Sequence, residues 1–264
     1  MCRADGVPMS LQTISVDVRR GVAAVTLNRP DRGNAFDQAM LDELGGQFGA
    51  LAADPAVRVV VLRAAGKHFC TGADLRAAKP PGAPADPGTH LTLRDVLAAL
   101  DTLPKPTVAL VQGGAVGGGA AFAACCDVVI AAEDAFFSIP EVRVGIPPLG
   151  VAPFLVRAIG HRAFRRYGLS GERMPAAEAL RLGLAHEVCP AEKLDATLAR
   201  IADELLHGAP GAVATLKNAA AQYASPPLSR ILADRPQQDP QSPEAREGIA
   251  SFREKRKPGW YPQD

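Results

Sequence analysis

The 264-residue chain lacks a charge imbalance, metal-ligand cysteine pairs and a leader-like apolar run, and each lack removes a class of function. With 29 lysines and arginines against 28 aspartates and glutamates, the formal net charge is +1, so no nucleic acid or other polyanion partner is expected. The five cysteines (Cys2, Cys70, Cys125, Cys126, Cys189) are odd in number and none stands in a CxxC pair. That argues against a disulfide framework or a zinc site and suits a reducing cytoplasm. The opening "MCRADGVPMSLQ" has no apolar run of signal-peptide length, so secretion is not expected. Pro106 to Cys126 has no charged residue and is long enough to cross a bilayer. Its centre, however, holds five glycines and Gln112, and lipid would leave those backbone amides unpaired at several kcal/mol each. A buried strand, a glycine loop and a buried helix are expected instead, with no membrane partner.

What is present is an ordinary globular composition, 47% hydrophobic and 22% charged, in a chain long enough for one large core with an appendage. "LQTISVDVRRGVAAVTLN" reads as a hairpin turning near Gly21. "DQAMLDELGGQFGALAAD" carries Met40, Leu41, Leu44, Phe48 and Leu51 at helical spacing, and "VRVVVLRAA" reads as a buried strand. The proline- and glycine-rich "KPPGAPADPGTH" is a loop expected to border the substrate. A helix over "LTLRDVLAALDTL", a strand "PTVALVQG", the glycine loop, a helix "GGGAAFAACC" and a strand "DVVIAA" follow. This alternation predicts an α/β fold with parallel crossovers. From Pro153 onward the pattern is helix after helix, and no fixed-period repeat is visible.

The glycine loop "GGAVGGGAAF" (113–122) carries no reactive side chain. A phosphate-cradling loop needs a lysine and a hydroxyl after its last glycine, where this chain has Ala120 and Ala121. A dinucleotide fingerprint needs a different glycine spacing. Close helix packing accounts for some of the glycines. The remaining reading is an oxyanion hole, in which backbone N–H groups at a helix start bind negative charge directly.

The stretches "GKHFCTGADL" (66–75), "GGAVGGGAAFAACCDVVIA" (113–131), "AFFSIPEVRVGIPP" (135–148) and "REGIASFREKRKPGW" (246–260) resemble, in order, the motifs of the enoyl-CoA hydratase/isomerase, or crotonase, superfamily. The resemblance implies a crotonase-like spiral of ββα units over residues 1–200 and a C-terminal helical trimerisation region over 201–264. It implies a homotrimer or dimer of trimers and an acyl-CoA thioester as the substrate, with no separate cofactor and no metal. The oxyanion donors it implies are the backbone amides of Ala73 and Gly118, with Gly117, Asp74 and Leu75 beside them. Phe69, Cys70 and Thr71 would meet the adenine of CoA, while Arg29, Arg32 and Lys255 would meet its phosphates. Phe252 would approach the pantetheine from a neighbouring subunit.

Typical hydratases of this family use two glutamates. The second matches Glu141 in "IPE"; the first matches Ala121, so one acid is absent. A single carboxylate can still serve water addition in two steps, or move a proton between carbons in an isomerisation. A chain that binds acyl-CoA without turnover is the third reading. The "PPLGVAPFLVRAIG" segment also departs from the usual glycine-rich turn. It is similar to the branch acting on branched or carboxylated acyl groups, including isohexenylglutaconyl-CoA hydratase. A second substrate carboxylate would want a cation, for which Arg143, His90 and Arg94 are equal candidates. Cys125 and Cys126 read as core residues. His68 would touch phosphate or solvent, and Asp74 and Asp127 read as structural hydrogen-bonding groups.

Overall fold

The β-branched stretches between residues 14 and 64 pair as a ladder, because each presents apolar side chains that need a neighbour. In the computed structural model, which describes residues 11–76, 90–224 and 243–256, β1 (Ile14–Arg19) and β2 (Val22–Leu27) form the expected antiparallel hairpin around Gly21. β2 then pairs in parallel with β3 (Val59–Ala64), β3 with β4 (Thr107–Val111), and β4 with β6 (Val128–Ala132). β3 and β4 are buried on both faces, as continuous apolar runs in a covered parallel sheet should be.

Helix α1 (Gln38–Ala53) is capped by Asp37, whose side chain accepts from the Met40 N–H, and it buries Met40, Leu41, Leu44, Phe48 and Leu51. Asp37 thus starts the helix and the 3.6-residue spacing lays it on the sheet. α2 (Leu93–Asp101) opens on a full capping box between Thr92 and Asp95. The proline- and glycine-rich loop expected to border the substrate lies, up to Thr89, outside the described residues.

A second, three-stranded sheet decides where the chemistry sits. β5 (Gly114–Val116), formed by the glycine loop itself, pairs in parallel with β7 (Phe136–Ser138), which pairs with β8 (Met174–Pro175). The sequence pattern concealed these strands, since three-residue segments show no period. The same holds for β9 (Glu187–Cys189), which adds a parallel edge to β6 within the stretch expected to be purely helical.

The remaining helices follow the pattern: α3 (Gly118–Ala124), α4 (Ala152–Ser170), α5 (Ala176–Leu182), α6 (Leu194–Leu206), α7 (Pro210–Ala224) and α8 (Pro243–Glu254). α4 is two helices meeting at Gly160 (φ 74°, ψ 156°), matching the separate "PFLVRAIG" and "HRAFRRYGL" segments. Pro153 lies in its first turn, where the lost N–H costs nothing. α6 runs unbroken through residue 200, where the sequence places the start of the helical region. Among the described residues no helix is long and apolar enough to cross a membrane.

Candidate active site

Three parallel segments deliver three groups to one place. Cys70 bridges Ala115 in parallel, and Ala115 pairs with Phe137 in the β5–β7 ladder. From that level the chains run on in the same direction, one to Ala73, one to Gly118 and one to Glu141. The site therefore lies beyond the carboxyl ends of parallel strands, where open α/β structures characteristically place chemistry.

The two expected donors are oriented by separate means. Phe36 and Ala73 form a parallel bridge in which the Phe36 N–H donates to the Gly72 carbonyl and the Asp74 N–H donates to the Phe36 carbonyl. In such a bridge the middle residue, Ala73, turns its own N–H away from its partner. Gly118 opens α3, so its N–H has no carbonyl one turn earlier to bond. α3 has seven residues, and its dipole is correspondingly small. The site depends on these particular N–H groups more than on a helix field.

Each of the five glycines has a steric reason, so close packing explains more of the loop than the sequence indicated. A Cβ on Gly113 would strike the Lys67 carbonyl oxygen, and one on Gly119 would strike that of Cys70. On Gly114 it would stand 2.8 Å from the Phe136 ring, and on Gly118 2.6 Å from the Phe36 ring. On Gly117 (φ 55°) it would stand 2.6 Å from Oε1 of Glu141. Bare backbone lets the 67–73 segment, α3 and the acid approach one another.

Glu141 begins a 3-10 turn (Glu141–Val144) directly after β7. Its Oε2 is buried and has no hydrogen-bond partner. Burial pushes the carboxyl up to about 7, against a weaker opposing pull from its own backbone N–H. An acid half-ionised near neutrality can both accept and return a proton. The turn is braced by α8: a Cβ on Gly248 would collide with the Val144 backbone, and Arg253 reaches across to donate to the Leu75 carbonyl. α8 thus touches both the Glu141 turn and the stretch after Ala73 in its own chain.

The other expected residues divide by what they touch. Arg29 donates to the Ala35 carbonyl at 2.6 Å and to Asp74 at 3.0 Å, and it pairs with Asp37 at 3.1 Å. An internal network thus occupies the guanidinium that the resemblance assigns to the CoA phosphates. Asp74 is the matching structural group. Burial opposes ionisation there, but hydrogen bonds from Arg29 and the Arg76 N–H, with the Arg29 and Arg32 charges, hold its carboxyl below the usual range. Arg32 is more exposed and pairs with Asp31 at 3.6 Å, and Lys255 is exposed at the end of α8.

Phe69 and Cys70 are fully buried, and burial pushes the Cys70 thiol up to about 12, despite a weaker opposing Gly72 backbone hydrogen bond. The N–H groups of Phe69, Cys70 and Thr71 donate to the carbonyls of Gln112, Gly114 and Gly33, and the Cys70 carbonyl accepts the Val116 N–H at 2.9 Å, so both backbone polar groups of Cys70 are paired. Phe252 is 63% exposed on the braced helix.

His68 accepts the Gly114 N–H through Nδ1 at 3.0 Å, so it anchors the glycine loop. Burial, then the Lys67 and Arg173 charges, lower its pKa. Of the three candidate cations for a distal carboxylate, His90 is paired with Asp42 at 2.7 Å and Arg143 donates to the Ser170 carbonyl at the end of α4. Arg94 makes only a 4.0 Å approach to Asp95. Ala121 is fully buried within α3. Cys125 and Cys126 are core residues as expected, and Asp127 binds Thr107 and Lys217. No cluster of three or more His, Cys, Asp or Glu fit for a metal occurs among the described residues.

Sequence reasoning missed Asn34, Phe36 and Leu93. Asn34 (φ 55°) is fully buried and donates to the Ala65 and His68 carbonyls at 2.8 and 2.7 Å. A Gly-Asn pair is a recognisable left-handed signal. Phe36 stacks edge-on against Phe122, and Leu93 stands 3.1 Å from where a Gly118 Cβ would be. Nothing in their spacing distinguishes these two from core.

The chain is similar to known proteins along nearly its whole length. The family model described as Enoyl-CoA hydratase/isomerase matches residues 17–263. The 2,3-dehydroadipyl-CoA hydratase of Escherichia coli is 32% identical over 256 residues, 94% of this chain and 98% of that protein. The carnitinyl-CoA dehydratase of Proteus mirabilis is 34% identical over 209 residues, 78% of this chain and 79% of that one. The crystal structure of an enoyl-CoA hydratase from Mycobacterium avium subsp. paratuberculosis has a TM-score of 0.79 at 31% identity, covering 96% of this chain and all of that one. A match this long, onto a chain whose parallel segments converge on Ala73, Gly118 and Glu141, makes the protein a member of the enoyl-CoA hydratase/isomerase family with the crotonase fold.

Proposed function

We propose that the protein is a hydro-lyase that adds water to, or removes it from, an α,β-unsaturated acyl-CoA thioester, using Glu141 as its one acid/base. The observation that carries this reading is the Glu141 carboxyl, its buried Oε2 without a hydrogen-bond partner and its pKa pushed up to about 7 by burial, set against Gly117, one residue from Gly118. The Glu141 carboxylate takes a proton from water as the water oxygen bonds to C3. The C2=C3 electron pair moves to form the thioester enolate, whose oxygen is bound by the Ala73 and Gly118 N–H groups. Glu141 then returns the proton to C2, so atoms and charge balance. Each oxyanion donor of this kind typically contributes about 2.7–4 kcal/mol.

CoA is read as lying along Phe69–Thr71, with Arg32 and Lys255 toward its phosphates. The exposed Leu216 and Phe252, on α7 and α8, support self-association through the C-terminal helices, read as a trimer or a dimer of trimers.

Mass-resolved turnover of linear, branched and carboxylated enoyl-CoA and 3-hydroxyacyl-CoA esters tests the reading. A product differing by one water, absent with Glu141→Gln while thioester binding persists, is the expected result. Buried Ala121 favours an isomerase as the second reading, since one acid suffices to move a double bond; unchanged product mass with a shifted double bond would establish it. Binding without turnover across the whole panel would favour a non-catalytic acyl-CoA binder.

A further inference from the structure

Arg29 grips the chain on both sides of the Phe36–Ala73 bridge. Its Nη1 donates to Ala35 and pairs with Asp37, the residues flanking Phe36, and its Nη2 donates to Asp74, the residue following Ala73. The guanidinium is 18% exposed and Asp74 8%, so these charge-assisted bonds form largely out of water. The Arg29 backbone is fixed as well, its N–H donating to Asn34 Oδ1 at 2.8 Å and its carbonyl accepting the Asn34 N–H at 2.9 Å. Asn34 in turn holds the Ala65 and His68 carbonyls. A planar fork with several donors can join three points rigidly; a lysine ammonium in its place keeps the charge and loses that geometry.

We infer that Arg29 is a positioning residue that aims the Ala73 N–H at the thioester oxygen, with Asp74 as its counterpart, and that it does not bind the CoA phosphates. The inference rests on Ala73 being an oxyanion donor. It separates two effects that a basic residue near a CoA site would otherwise confuse. A phosphate ligand acts only on substrates that carry the nucleotide, whereas a residue that aims an amide acts on every thioester and chiefly on kcat.

The test compares Arg29→Lys and Asp74→Asn with the unaltered protein, using crotonyl-CoA and crotonyl-N-acetylcysteamine, the latter lacking the nucleotide. Both variants are expected to lose about 10- to 100-fold in kcat on both thioesters, with the KM for crotonyl-CoA changed less than about threefold, a misaimed donor costing this much. A tenfold rise in that KM with kcat preserved, and no loss on the truncated thioester, would overturn the assignment in favour of phosphate binding. Amide hydrogen exchange at Phe36 and Asp74 provides a readout that needs no turnover. Faster exchange in Arg29→Lys, in an otherwise protected fold, is expected; unchanged protection would overturn the clamp even if the protein turned over neither thioester. Absence of turnover by the unaltered protein on these thioesters and on the branched and carboxylated esters of the panel, with the exchange result as expected, would instead count against the hydro-lyase reading.

Discussion

The two halves of the site are built on opposite principles. The half proposed to bind the oxyanion, around Ala73 and Gly118, contains almost no reactive side chain and is over-determined: bridges at Phe36–Ala73 and Cys70–Ala115, the Arg29 network and glycine contacts with backbone all fix it. The proposed proton half holds one carboxylate, whose buried Oε2 has no hydrogen-bond partner, on a short 3-10 turn braced from outside by α8. An oxyanion donor must be preorganised because it acts by position. A proton carrier needs a tunable pKa, which partnering would fix low and burial raises. The difference shows why the first half tolerates no added atom and the second tolerates no added partner.

The sharpest way to break this contrast is Gly119→Ala. Its Cβ would meet the Cys70 carbonyl, which cannot yield, so α3 moves away from the 70–73 segment and the two donors part. A loss of about 10²-fold or more in kcat is expected. Gly46→Ala, where a Cβ meets nothing within 4 Å, should leave kcat unchanged in the same assay.

Gly248→Ala tests the brace on the other half. Displacing α8 from Val144 should loosen the Glu141 turn and lower kcat by about tenfold, with the acidic limb of the pH–rate profile moving toward ordinary carboxylate values as water enters. An unmoved profile would mean that α8 has no hold on the acid.

The pH dependence follows from the sign of the Glu141 shift. Its folded pKa of about 7 lies above the unfolded 4.5, so the folded state binds the proton more tightly. kcat/KM for hydration should rise through about pH 7 and level off as the base ionises. Stability should be highest, as far as this group is concerned, below 4.5, and fall as pH rises toward 7. Glu141→Gln should therefore be more stable than the unaltered protein at pH 8, by up to about 3 kcal/mol, and show no gain at pH 4. Denaturation at the two pH values checks it.

The smallest expected effect is at the thiols. Cys70, Cys125 and Cys126 are buried, and burial raises all three thiol pKa values. Alkylation of the native protein at pH 8 should leave them unmodified and activity within about twofold of the untreated value. Rapid labelling of Cys70 would show the oxyanion half to be less tightly packed than its contacts imply.

Much of this was legible in the residues. The hairpin, α1, the buried strands and the break of α4 at Gly160 follow from apolar period, capping and glycine placement, which act over a few residues. The motif order around 66–75, 113–131 and 135–148 located Ala73, Gly118 and Glu141. Short strands such as β5, β7 and β9 were not legible, because three residues carry no period and pair only when distant chain supplies the partner.

By itself, then, the sequence determined the α/β class and the family and singled out Glu141 as the candidate acid, since those depend on local pattern and on motif residues. Tertiary structure alone decided that every loop glycine is a point of close approach, that Arg29 belongs to the Ala73 bridge and not to open solvent, and that Glu141 titrates near neutrality. Those three depend on which atoms from remote segments meet, and on how much water they exclude when they do.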